Sequence, residues 1–193
     1  MELRFKVLTL EEIRDVYYSD MIHQFPDRER RSYGNIAAMV KKGMYAGYGL
    51  YDDTGLCAYA MAALFPDRHT VLLDYLAAVR DRKGQGFGSE MLSRLRSHFG
   101  KTDRILIETE DPDALEGAEK DIARRRLGFY ARNGYRETGV QIFLFSVWYR
   151  LYEAYEREEP DCELIGLMEN VYRTIVPAAL YEKNVHLQLR KEG

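Results

Sequence analysis

One stretch constrains this chain more than any other, Leu73-Asp74-Tyr75-Leu76-Ala77-Ala78-Val79 followed by Arg80-Asp81-Arg82-Lys83 and Gly84-Gln85-Gly86-Phe87-Gly88-Ser89. An apolar run long enough to be a buried strand meets a basic tetrapeptide, passes three alternating glycines and opens into an amphipathic helix. A helix start leaves its first N–H groups unpaired and carries roughly half a positive charge. Glycines let oxygens approach the backbone without meeting a Cβ. The layout predicts an anion site, and the anion it suits is a phosphate.

Spacing separates the glycine-rich families that bind phosphates. A P-loop needs a Lys-Ser or Lys-Thr pair after its glycines, and here Lys83 precedes them. A dinucleotide fingerprint needs a third glycine three residues after the second, where this chain has Ser89, and no second strand ending in Asp or Glu follows at the expected distance. What remains, Lys83-Gly84-Gln85-Gly86-Phe87-Gly88, resembles the acetyl-CoA loop of the GCN5-related N-acetyltransferase (GNAT) family, with Lys83 in place of the usual Arg or Gln. Downstream, Arg125-Arg126-Leu127-Gly128-Phe129-Tyr130-Ala131-Arg132-Asn133-Gly134-Tyr135 resembles the family's other signature, a helix ending in Phe-Tyr-x-x-x-Gly-aromatic. The resemblance covers roughly residues 1–155.

The bulk numbers fit that reading. A chain of 193 residues is most simply one domain, here 1–193 with a core at 1–155 and a helix-strand extension at 156–193. Its composition, 46% hydrophobic and 31% charged, is that of an ordinary globular protein, and a net charge of −3 supplies no general attraction for nucleic acid. The longest apolar run, Leu56 to Phe65, is too short to span a bilayer, and the first residues lack a signal-peptide core. We expect a cytoplasmic protein without a membrane or nucleic-acid partner. Cys57 and Cys162 lack metal-ligand spacing, so no metal is expected. Packing explains most of the fifteen tyrosines.

Taken in order, Leu3 to Val7 alternates as a strand, and Thr9 with Glu12 forms a capping box that starts a helix through about Ser19. A charged, Pro-broken loop follows, then a helix from Tyr33 to Lys42. Strands at Tyr45 to Tyr51 and Leu56 to Phe65 are joined by the turn Asp52-Asp53-Thr54-Gly55. Val71 to Val79 is a central strand interrupted by Asp74, read as a paired or rim carboxylate in preference to an acceptor contact. The next helix sets Phe87, Met91, Leu92, Leu95 and Phe99 on one face, and His98 is a helix-end residue. In the fifth strand, Ile105 to Glu110, alternation puts Leu106, Glu108 and Glu110 opposite Ile105, Ile107 and Thr109. A helix from about Leu115 to Asn133 follows. Val140 to Phe145 and Val147 to Tyr155 form a strand pair or one bent strand. An acidic connector at Glu156 to Glu163, a helix at Leu164 to Ile175 and a strand at Asn184 to Arg190 complete the chain. The order is that of an α+β fold. The resemblance implies a mainly antiparallel central sheet splayed between the fourth and fifth strands, with helices on both faces and the cofactor in the opening.

The resemblance further implies acetyl-CoA as cosubstrate. Its pyrophosphate would lie on the N–H groups of Gly84, Gln85, Gly86, Phe87, Gly88 and Ser89, aided by Arg82 and Lys83, and its pantetheine along Leu76, Ala77, Ala78 and Val79. The small Ala77 and Ala78 suit that role and tight packing equally. The thioester carbonyl would accept from a backbone N–H near Ala78 or Val79. Tyr130 matches the family's usual acid, with packing as its plain alternative. Asn133 matches a position that often touches CoA, although an Asn before a helix-ending Gly has an equally good structural reason. Glu108, a carboxylate in a core strand, is the candidate base or else part of a structural ion pair or hydrogen bond. Glu108, Glu110 and Asp111 at the mouth hint at a cationic acceptor. The expected function is acetyl transfer to a primary amine of a small molecule or peptide; the alternatives are a CoA-binding module without catalysis and a nucleic-acid-associated regulator. Residues 160–193 are expected to cover the acceptor site, to swap into a homodimer or to extend the sheet.

Overall fold

The computed structural model describes residues 2–101, 103–156 and 160–190, without the side chain of Arg28. Part of the acidic connector and the last three residues lie outside them. The chain is α+β and divides into two compact units, Met1–Asp103 and Arg104–Gly193.

The first unit holds β1 (Arg4–Val7), α1 (Leu10–Val16), α2 (Ile22–Gln24), α3 (Tyr33–Lys41), β2 (Tyr45–Asp52), β3 (Gly55–Phe65), β4 (Thr70–Ala78) and α4 (Phe87–Phe99). Its four strands pair antiparallel in chain order. The capping box forms as the sequence predicts: Glu12 N–H donates to Thr9 Oγ1 at 3.2 Å, and Thr9 N–H donates to Glu12 Oε2 at 2.9 Å. The first helix does not stop near Ser19, however. A π-helical turn, Tyr17–Met21, carries it into α2, and that wider turn breaks the 3.6-residue periodicity on which the sequence reading depends. It also buries Asp20.

Both faces of this sheet are covered. Gly47 has no room for a Cβ because Ile13 of α1 lies 2.7 Å from where that atom would sit. On the other face Tyr48 packs against Phe5, His98 and Phe99. Phe87, Met91, Leu92 and Leu95 of α4 are buried as their spacing predicts, each contributing about 1.5–3 kcal/mol of transfer free energy.

The second unit contains β5 (Arg104–Glu110), α5 (Gly117–Arg132), β6 (Arg136–Leu144), β7 (Val147–Ala154), α6 (Asp161–Ile175), α7 (Ala178–Asn184) and β8 (Val185–Leu189). The strands lie in the order β5-β7-β6-β8, all antiparallel. β6 and β7 are a hairpin, not one bent strand, because Phe145 and Ser146 both take positive φ, 46° and 70°, which suits a two-residue hairpin turn. Neither is a usual residue for that conformation, so the turn is illegible in sequence. α7 is also missed by periodicity, being only seven residues long.

A polar network ties β5, β6, β7 and the end of β8 together. Arg150 Nε donates to Asp111 Oδ1 at 2.8 Å and Arg150 Nη1 to Glu137 Oε1 at 2.9 Å. Gln141 Nε2 donates to Asp111 Oδ2 at 2.7 Å, and Tyr152 Oη to Glu137 Oε2 at 3.0 Å. Burial opposes ionisation of Asp111, but the Asp113 N–H, Gln141 and Arg150 outweigh it and hold its pKa below the ordinary value. Removing the guanidinium strands a carboxylate that is only 1% exposed. Arg150→Ala should cost about 3–5 kcal/mol, read as a lower urea midpoint at unchanged m-value.

Candidate functional site

The glycine loop is built as an open helix start. Gly84 and Gly86 take φ of +77° and +85°, a left-handed conformation that a Cβ would strain. Gly86 is the N-cap of α4 and supplies no side-chain cap. The first helical bond is Glu90 N–H to Gly86 O at 3.1 Å, so the N–H groups of Phe87, Gly88 and Ser89 precede the ladder. Lys83, Gly84, Gln85 and Gly86 are exposed, and Phe87 sends its ring into the core.

Arg82 has a different partner from the one expected. Its Nη1 donates to Asp52 Oδ2 at 2.8 Å, and its Nη2 donates to Thr54 Oγ1. Asp52 in turn accepts from the Thr54 hydroxyl at 2.7 Å and from the N–H groups of Thr54 and Gly55 at 2.8 and 3.1 Å. The guanidinium thus fastens the loop to the β2–β3 turn. The bonds from Thr54, then the contact with Arg82, hold the Asp52 carboxyl well below the usual carboxylate range.

The strand end before the loop is equally engaged. Val79 N–H donates to Cys57 O at 3.0 Å, which removes it as a donor for a thioester carbonyl. Ala78 pairs opposite Ala58, so antiparallel alternation turns the N–H and C=O of Ala78 away from β3. The Ala78 carbonyl accepts from Gln24 Nε2 at 3.0 Å. Gln24 also donates to Asp20, whose other oxygen accepts from Arg80 N–H at 3.3 Å. Sequence reasoning missed both residues, since nothing in a loop-like stretch marks side chains that reach 54 and 60 positions along the chain. Leu76 and Ala77 are half-buried beside them.

Asp74 is a paired carboxylate. It is the extra residue where the β3–β4 register shifts, and it accepts from Arg31 Nε at 2.6 Å and Tyr45 Oη at 2.8 Å. The Pro-broken loop is pinned nearby through Arg31 N–H to Tyr75 Oη at 2.8 Å and Tyr75 Oη to Glu29 O at 3.0 Å.

In the second unit, Tyr130 is mounted by the end of α5. Tyr135 N–H donates to Tyr130 O at 3.1 Å, and Gly134 N–H donates to Ala131 O at 3.1 Å, with Gly134 at φ +78°. Those are the two bonds of a Schellman motif, and its accompanying apolar contact is the Tyr130–Tyr135 ring pair, 6.1 Å between centroids. The Phe-Tyr-x-x-x-Gly-aromatic spacing therefore has a physical meaning: it is the spacing of that helix stop. Burial pushes the Tyr130 hydroxyl up to about 12, against a smaller opposing pull from Arg126. Asn133 donates its carboxamide to Phe129 O at 2.8 Å, closing the same helix end.

Glu108 is half-buried and accepts a hydrogen bond from Tyr172 of α6. It lies opposite Leu151, while its neighbour Ile107 lies opposite Tyr152. The Tyr130 ring packs on Tyr152, 6.2 Å between centroids. Cross-strand partners share a face and successive residues alternate, so Glu108 and Tyr130 belong to opposite faces of this sheet. The cationic-acceptor hint weakens: Asp111 is spent on Arg150 and Gln141, and Glu110 lies 3.5 Å from Arg126. No helix among the described residues is long and apolar enough to cross a membrane.

No protein-family model matches the chain. YjbC of Bacillus subtilis (strain 168), a provisionally assigned acetyltransferase, is 26% identical over 170 residues, covering 82% of this chain and 80% of its own. A provisionally assigned GNAT-family acetyltransferase from Bacteroides thetaiotaomicron superposes with a TM-score of 0.71 at 17% identity, over 88% of this chain and 96% of that one. The ribosomal-protein-S18-alanine N-acetyltransferase of Escherichia coli gives 0.59 at 16% identity, over 82% and 99%.

The Asp52 contacts carry a sign that acid unfolding reads. Its folded pKa is below the unfolded value of about 3.9, so its stabilisation is complete above that pH and is lost as pH falls toward the folded pKa. Asp52→Asn should be less stable than the parent at neutral pH and show a flatter loss of stability below about pH 4, measured by urea unfolding across that range.

Proposed function

We propose that this chain is an acetyltransferase of the GNAT family, a reading its similarity to named acetyltransferases supports, and that it transfers an acetyl group from acetyl-CoA to a primary amine of a small molecule or a peptide by direct attack of the amine on the thioester. The observation that carries this reading is the uncapped N-terminus of α4 behind two left-handed glycines. Such a start stabilises a phosphate through backbone N–H groups and the helix dipole. In this reading Gly84 to Ser89 take the pyrophosphate and exposed Lys83 adds charge, while Arg82 holds the loop in place. Ala78 N–H, turned away from β3, pairs with an amide of the pantetheine as an added strand would.

The reaction needs a neutral amine. At an ordinary pKa of about 10.4, keeping it neutral near pH 7 costs roughly 4–5 kcal/mol, and a base lowers that cost. Glu108 takes the proton, directly or through water. The departing thiolate needs a donor, which is Tyr130. With its pKa at about 12, Tyr130 remains neutral throughout the physiological range. Full transfer of its proton to a thiolate of pKa about 8.5 is uphill by roughly 5 kcal/mol, so the hydroxyl acts by hydrogen-bond donation. The opposite-face placement of Glu108 and Tyr130 supports a division of labour in which nucleophile and leaving group are served from different sides.

A panel of amines assayed by release of free CoA tests this directly. Acetyl-CoA should raise the melting temperature, and thiol should accumulate with at least one amine; stabilisation without release from any amine would make the chain a non-catalytic binder. Tyr130→Phe should reduce kcat by about 10- to 1000-fold, and unchanged turnover removes it from the mechanism.

A further inference from the structure

Tyr172 is fully buried on α6, on the face that also buries Leu164, Met168 and Val171. A buried phenol needs an acceptor, and this one donates to Oε1 of Glu108 on β5, 64 residues earlier in the chain. We propose that Tyr172 is a positioning residue for Glu108, so that α6 takes part in the chemistry carried by β5. The inference rests on the reading of Glu108 as the base.

Two general properties of a glutamate and one observation support it. A glutamate with three rotatable bonds pays side-chain entropy to hold one orientation, and a donor fixed on a helix supplies that orientation in advance. An ionised carboxylate offers about four acceptor sites, so the bond from Tyr172 to Oε1 orients the group without exhausting its capacity to accept. The helix that carries the donor is itself located: Asp161, its first residue, accepts from Gly139 N–H at 2.7 Å, and a Cβ at position 139 would meet that carboxylate at 2.6 Å. Arg136 Nη2 lies 3.6 Å from the other oxygen of Asp161. The start of α6 is thereby stapled to β6, and Tyr172 sits three turns along it.

A tyrosine that only fills space, or only satisfies a polar pair, would not act through Glu108. A double-mutant cycle separates the cases. With acetyl-CoA and the most active amine of the panel, Tyr172→Phe should lower kcat about 10-fold while both KM values stay within about 2-fold. In the Glu108→Gln background the same change should alter the residual kcat by less than about 2-fold. Asp161→Asn, which loosens the start of α6 and leaves Tyr172 intact, should show a smaller loss with the same dependence on Glu108, and it serves if the Phe variant melts below the assay temperature. An equal loss in both backgrounds overturns the positioning role and leaves Glu108 as the base. Full turnover in Glu108→Gln, or no CoA release with any amine, overturns the base assignment and this inference with it.

Discussion

The N–H groups at the start of α4 have no partner inside their own helix, and much of the first unit is arranged so that they stay open. Gly86 caps the helix without a side chain, Arg82 is drawn aside to Asp52 and Thr54, and Asp20 with Gln24 fastens the strand end from which the loop departs. Each contact spends a polar group on holding backbone, which leaves the helix dipole and its N–H groups for a ligand. A side-chain cap at position 86 would satisfy the helix and close the site.

The second unit solves the complementary problem of holding individual side chains. Tyr130 is set by a helix stop made of two backbone bonds and the Asn133 carboxamide, so its ring direction follows from the chain path. Glu108 is set by a phenol from a different helix. Between them runs the Arg150 network, which keeps Asp111 and Glu137 ionised yet compensated inside the sheet. Buried charge of that kind is costly to break, which gives β5 and β7 a fixed mutual register.

Much of the architecture was legible because it is written in short-range patterns. The capping box at Thr9 and Glu12, the buried face of α4, the glycine loop before it and the Phe129-Tyr130…Gly134-Tyr135 helix stop are all local motifs with local causes. The readings that needed revision involve distant partners or unusual backbone. The π-helical turn at Tyr17–Met21 carried the first helix past Ser19, Val79 N–H is bonded to Cys57, and Asp111 belongs to Arg150. Phe145-Ser146 makes a hairpin turn with residues that seldom accept positive φ.

By itself the sequence determined the class of fold, through the order of its elements, and the glycine-built start of α4 and the spacing that mounts Tyr130, through residues within one or two helical turns of one another. Only the tertiary structure decided what the polar side chains do. A carboxylate at 108 or a guanidinium at 82 reads the same in sequence whether it meets solvent, a phosphate or a buried partner. That choice depends on what the folded chain brings within 3 Å, and Tyr172 and Asp52 lie 64 and 30 positions away.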